Sequence, residues 1–274
     1  MAAPQSYEIG WKPSHIQHHA SRTAENNTKY LLPHLAKYVQ LKPNLRLLDI
    51  GAGPGSISAS LARYIPEGKV TATDISDDVL QQAREHARQV GCTNIEFQVA
   101  DVYNLPFPDN TFDVVHVSQV LVHLHEPVKA LKEMLRVCVP GGIIGMCEGD
   151  MRSWVLHPVP QALQDSIDLM RSLLPRRDTG MRLVSFAIQA GVPRSDIHFT
   201  TSTYAHTTSA ERQAFGGTFR ERAREGDIRK KAIERGLKSA EAMDEMANAW
   251  DQWIVNEEAC SACINGEMVI TKTL

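Results

Sequence analysis

Residues 47–56 read LLDIGAGPGS, an apolar run that ends in an acid and then sets glycines at 51, 53 and 55. A buried strand that stops in a tight turn and feeds a helix reads this way. Glycine tolerates the left-handed backbone such a turn needs and leaves amide N–H groups open to a ligand. The acid matters as much as the glycines: Asp49 at the strand end suits an ammonium group and would repel a pyrophosphate. The spelling Gly51-Ala52-Gly53-Pro54-Gly55 is also tighter than the G-x-G-x-x-G of a nicotinamide loop.

Working outward, short β-type runs recur at LRLLDI, KVTATDI, IEFQVAD, FDVVHVS, GGIIGMCEG, DIHFTTSTYA and GEMVITK, the early ones separated by helical patterns. That alternation predicts a mainly parallel sheet. Between strands, Ile57, Leu61, Ala62 and Ile65 share one helical face. So do Val79, Leu80, Ala83, Ala87 and Val90, and then Val128, Leu131, Met134, Leu135 and Cys138. These stripes are core, since a parallel sheet is covered on both sides. Before the last strand, Met243, Met246, Ala247, Trp250, Trp253 and Ile254 recur at helical spacing, which predicts a helical insertion. Packing is the default reading of that stripe; against the mouth of a pocket it would be a lid, and an exposed Trp250 or Trp253 would mark a homodimer contact.

A single domain is expected, with an N-terminal helical cap over 1–42, a cofactor-binding core over 43–206, a helical insertion or lid over 207–258 and a last strand over 259–274. The chain has 274 residues, 43% of them hydrophobic, and a net charge of −3. That is ample for a large core and offers no basic field for nucleic acid or an anionic membrane. No run has the length of a signal core or a membrane span, so a cytoplasmic protein without membrane insertion is expected. Cys92, Cys138, Cys147, Cys260 and Cys263 are odd in number and scattered, which fits a reducing compartment. The lone C-x-x-C at 260–263 lacks a second pair, and no metal site is expected.

Asp74, ending VTATDIS, stands at about the interval from the glycines where a carboxylate takes both hydroxyls of a ribose. Asp101, in VADVYNLPFPDNTFD, ends the next strand. Each acid alone reads equally well as a cap or turn former. Together they outline a nucleoside-shaped slot along consecutive strand ends.

LLDIGAGPGS, VTATDIS and ADVYNLPFPDNTFDVVHVSQVLVHLHEPVKALKEMLRVCVPGGIIGM together resemble a class I S-adenosylmethionine-dependent methyltransferase, similar to the ubiquinone and menaquinone biosynthesis branch. The resemblance spans roughly residues 22–150. It implies a Rossmann-like three-layer α/β sandwich with a seven-stranded mixed sheet whose last strand is antiparallel. It also implies S-adenosylmethionine as cofactor, leaving as S-adenosylhomocysteine. By that resemblance Gly51, Ala52, Gly53 and Gly55 approach the amino-acid end of the cofactor, and Asp49 supports the loop or its ammonium. Asp74 with Ile75 takes the ribose side, Asp101 and Val102 face the adenine, and Ser118 and Gln119 flank the methionine. Arg22, Glu25 and Tyr30 help close the pocket.

Methyl transfer from a sulfonium needs alignment above all, and a base helps with a hydroxyl, ammonium or acidic-carbon acceptor. In VSQVLVHLHEP, His123 sits nearest the strand end and is the candidate base, while His125 points elsewhere if the segment is helical. A solvated or cap-bonded histidine is an equal alternative. Tyr7, His123, Glu148, Asp150 and Trp154 are the candidate acceptor-binding residues, and Trp11, His15, His18 and His19 would join them if the cap folds over. For Glu148 and Asp150 a cap or turn is the other reading. The expected partner is a small-molecule acceptor, a natural product or quinone-like metabolite. The alternative keeps the cofactor site but steers a pericyclic or other rearrangement, since fold does not set chemistry.

Overall fold

The computed structural model describes residues 21–273; Tyr7, Trp11, His15, His18 and His19 lie outside the described residues. Seven strands make one sheet: β1 (Arg46–Ile50), β2 (Lys69–Asp74), β3 (Ile95–Val99), β4 (Phe112–Ser118), β5 (Cys138–His157), β6 (Ile197–His206) and β7 (Cys260–Thr271). Their order is β3-β2-β1-β4-β5-β7-β6. The first five pair in parallel. Against β5, β7 is antiparallel: Gly141 N donates to Lys272 O at 2.7 Å, and Ile264 N donates to Ser153 Oγ at 2.8 Å, so numbers rise on one strand as they fall on the other. The architecture implied by the resemblance is therefore present.

The chain divides into two compact units where a single domain was expected. The sheet unit holds residues 21–150, Asp178–Ser202 and 265–273, and the helical unit holds Met151–Arg177 and Thr203–Ile264. The helical part thus recruits a segment well before the expected insertion at 207–258. Strand β5 is the reason it was hidden. It runs on to His157, past the charged stretch EGDMR that breaks the apolar pattern.

In the sheet unit, strand alternation separates two cores. On one face Leu47, Val70, Val114, Ile143 and Val269 pack with Leu31, Leu35, Leu61 and Ile65, from α2 (Leu32–Leu41), α3 (Ser56–Ala62) and adjoining turns. On the other, Leu48, Ile50, Val115, Val117, Ile144, Met146 and Met268 pack with Leu131, Met134, Leu183 and Phe186, from α5 (Pro127–Val137) and α7 (Thr179–Gln189). The short α1 (Ala24–Asn27) and α4 (Asp77–Gln89) complete the layers, α4 capped by Ser76 Oγ accepting from Val79 N. Asp113 fastens the start of β4, taking Lys42 Nζ and Arg46 N at 2.8 Å each.

The helical unit is built on α6 (Gln161–Leu173), α8 (Ser209–Arg224), α9 (Asp227–Glu234) and α10 (Ala240–Val255). Thr208 and Glu211 close a capping box that starts α8, and Ser239 caps α10. Met243, Met246, Trp250, Trp253 and Ile254 all enter the core with Leu163, Ile167, Phe215 and Phe219. Trp250 is 0% exposed and donates to Ser166 Oγ at 2.9 Å. A subunit contact through exposed Trp250 or Trp253 is thereby removed, because both indoles are consumed by packing.

Candidate functional site

In the strand order β3-β2-β1-β4, β1 leads outward one way to β2 and the other way to β4, and ligands bind beyond the strand ends at such a reversal. The glycine loop follows β1 there. Gly51 has φ +67°, and a Cβ on it would stand 2.3 Å from Val120 Cγ2. Val120 therefore rests on the bare α-carbon. Gly53 has φ +55° and nothing within 4 Å of the place a Cβ would take. The loop is closed on one side and open on the other. Ala52 N donates to Thr73 O, Gly55 N to Ala52 O, and Gly55 begins α3 against Ala83.

Asp49 is 2% exposed and both its oxygens are engaged. Ser58 Oγ donates to Oδ2, and His116 Nδ1 lies 2.7 Å from Oδ1. With a carboxylate as its neighbour, Nδ1 carries the proton and Nε2 faces Thr28 Oγ1 at 3.5 Å. Asp49 thus ties β1 to the start of α3 and to β4. His116 is a residue the sequence reading missed. The signal was available: Asp49 and His116 are register partners on adjacent strands, so an acid and an imidazole alternate onto one face.

Asp74 is also buried, at 5% exposed. Its Oδ2 accepts from Gly53 N at 3.0 Å and Oδ1 from Ser76 N at 3.1 Å, while burial raises its pKa above the usual carboxylate value. The Ile75 amide favours its charge as well, and the carboxylate keeps acceptor capacity for a further donor. Beside it Ile75 is 44% exposed, an apolar surface at a strand end. Asp101 is exposed, accepts from Tyr103 N, and precedes buried Val102. Glu25 takes Ser60 Oγ and Tyr64 OH, away from the loop glycines in its bonding.

At the end of β4, Ser118 lies beside the Cys147 thiol, and Gln119 adopts φ +56°. Its side chain accepts from Gly149 N at 3.1 Å and donates to Asn265 Oδ1 at 3.4 Å. A 3₁₀ turn, Leu121–His123, follows. Glu148, expected among the acceptor-binding residues, is instead committed to this turn. Its carboxylate is 0% exposed and accepts from Val120 N, Leu121 N and Val122 N at 2.8, 2.9 and 3.1 Å. Burial pushes its pKa up to about 7 against the lowering effect of those amides. Asp150, also expected among the acceptor-binding residues, is buried within β5, not at the cap or turn that was its other reading. Trp154 is packed among Phe215 and Phe219 at ring distances of 5.5 and 5.0 Å, an aromatic core position. His123 is half-buried on the turn and His125, just beyond it, is exposed.

A family model described as a methyltransferase domain matches residues 41–207. An uncharacterized methyltransferase of Schizosaccharomyces pombe is 33% identical over 264 residues, covering 93% of this chain and 92% of that protein. The chain belongs to the methyltransferase family. The ubiquinone/menaquinone biosynthesis C-methyltransferase of Cronobacter sakazakii is 41% identical over 99 residues, 35% of this methyltransferase and 39% of that one. In fold, the cyclase SpnF matches with a TM-score of 0.54 at 20% identity, covering 93% of this chain and 85% of that one.

The cofactor of this methyltransferase is S-adenosylmethionine, and the residues at the reversal fit it. Open ground over Gly53, remaining acceptor capacity on buried Asp74 and the exposed Ile75 surface offer close approach to the backbone, an acceptor and an apolar wall along the strand ends. Among the described residues no helix is long and apolar enough to cross a membrane.

Proposed function

We propose that this methyltransferase acts on a small molecule of natural-product or quinone type, with His123 as the base. Bound at the strand ends, S-adenosylmethionine supplies a sulfonium-activated methyl group for in-line displacement. Asp74 and Ile75 hold the ribose side, Asp101 and Val102 the adenine, the Gly51–Gly53 backbone the amino-acid end, and Ser118 and Gln119 the methionine. His123 takes a proton from the acceptor.

One observation carries the reading: the turn that bears His123 rests on the glycine loop through Val120 and Gly51. A base on that turn therefore stands beside the loop that would hold the cofactor. Similarity to a quinone C-methyltransferase over the central segment supports the acceptor class.

The test is incubation with S-adenosylmethionine and a panel of phenolic, quinol and amine acceptors, followed by mass spectrometry. Acceptor-dependent S-adenosylhomocysteine is expected with a phenol or quinol. An acceptor isomerised without S-adenosylhomocysteine would establish the rearrangement instead. His123→Ala should lower kcat by about 10²–10⁴, the usual worth of a general base, and leave S-adenosylhomocysteine affinity unchanged. Full turnover in that variant removes His123 from the mechanism.

A further inference from the structure

The β4–α5 connection is held from one side by two neighbours on β5. Glu148 gathers three consecutive amides of the connection, and Gly149 N fixes the Gln119 side chain at its base. Gln119 also reaches Asn265 on β7. Val120, the first residue held by Glu148, is the one seated on Gly51. We propose that Glu148 is a positioning residue for the cofactor: it clamps the turn so that Val120 keeps the glycine loop in its binding-ready shape.

The chemistry of the clamp is specific to a carboxylate. Three N–H donors converge on it, and only an ionised group offers acceptor lone pairs on both oxygens without a proton of its own. Amidation places an NH2 where an acceptor stood, and protonation places an O–H there. In either case one backbone N–H faces a donor. The turn then loosens, and cofactor binding has to order the loop as well as fill it.

The charge environment leaves Glu148 to do this alone. Arg22, from the N-terminal segment, is the cation that favours its ionised form. Tyr30 from the same segment and Cys147 on β5 both have pKa values raised by burial, so they stay neutral. Glu267 on β7 acts on those two, and Asp49 on β1 acts on Tyr30. His123 on the turn and Asp150 along the strand are the remaining titratable neighbours in sequence.

Calorimetry with S-adenosylhomocysteine, on the intact protein, tests the clamp apart from turnover and independently of the acceptor. Glu148→Gln should weaken binding about ten- to a hundredfold, the range for a hydrogen bond to a charged group. Wild-type affinity should fall as pH drops from 8 to 6, where Glu148 protonates, and the variant should show no such dependence. Asp113→Asn is the matched control, because it also strips a buried carboxylate of charge, at the opposite end of β4. It should cost stability while affinity holds. If Glu148→Gln fails to fold, Val120→Ala removes the side chain seated on Gly51 and should weaken binding in the same direction. Wild-type affinity flat across this pH range, unchanged affinity in the folded Glu148 or Val120 variant, or an equal loss in Asp113→Asn overturns the proposal.

Discussion

The two units bury different chemistry. Beneath its strand ends the sheet unit hides Asp49, Asp74, His116, Glu148 and Glu267, whereas the helical unit hides an aromatic cluster of Trp154, Phe215, Phe219, Trp250 and Trp253. Burying a carboxylate is costly unless donors surround it, and each such acid at the glycine loop and its turn has found them. Among the described residues the helical unit buries no carboxylate; the charges it does bury are Arg212 and Arg222, beside an aromatic core that removes much area from water. Buried carboxylates therefore collect beneath the glycine loop and its turn, and the buried aromatic cluster belongs to the helical unit.

That contrast predicts a graded series. Trp250→Ala should be the heaviest loss, about 3–5 kcal/mol for a fully buried indole, read from denaturant midpoints. The folded fraction should still bind S-adenosylhomocysteine with wild-type affinity; a matching drop would erase the distinction between the units. Gly51→Ala comes next, at about 2–4 kcal/mol, because it combines a positive φ with a methyl driven into Val120. Gly53→Ala meets no neighbour, so its stability loss should be confined to about 1 kcal/mol of backbone strain while cofactor binding is lost. Equal stability losses for the two glycines would show that Val120 gives way.

Asp74→Asn should weaken S-adenosylhomocysteine binding by about 1.5–3 kcal/mol, since a neutral amide replaces a charged acceptor. Unchanged calorimetry would put the ribose elsewhere. The smallest effect belongs to the helical unit. Amides of Thr207 and Thr208 hold Glu211 at about 2, below its ordinary value, so the bonus it confers is present above the unfolded pKa and disappears as pH falls through about 2. Being largely solvated, Glu211→Gln should cost no more than about 1 kcal/mol at pH 7, and thermal midpoints of variant and wild type should converge in strong acid.

Much of the sheet unit is legible in the sequence because each signal is local. LLDIGAGPGS carries strand, acid and turn in ten letters. The seven β-type runs all fall within observed strands or at their margins. The helical unit is less legible: α6 lies outside the expected insertion, and the second half of β5 passes through charged residues whose burial depends on distant partners. The candidate site divides the same way. Asp49 and Asp74 stand out because they end apolar runs beside glycines. Glu148 reads as an acceptor-binding residue or a cap, because nothing near it in sequence reveals that the amides of residues 120–122 converge on it. His116 needs the pairing of β1 with β4 to be seen as a partner of Asp49.

The position of β7 between β5 and β6 has a consequence for the order of assembly. During synthesis β6 emerges well before β7 yet has no neighbour to pair with until β7 arrives, so an edge of β5 and the whole of β6 wait unpaired. Sheet closure is then a late, long-range event of the kind that slows folding and exposes strand edges to wrong partners. A nascent chain halted before residue 260 would carry the cofactor loop already made and the far side of its sheet still open.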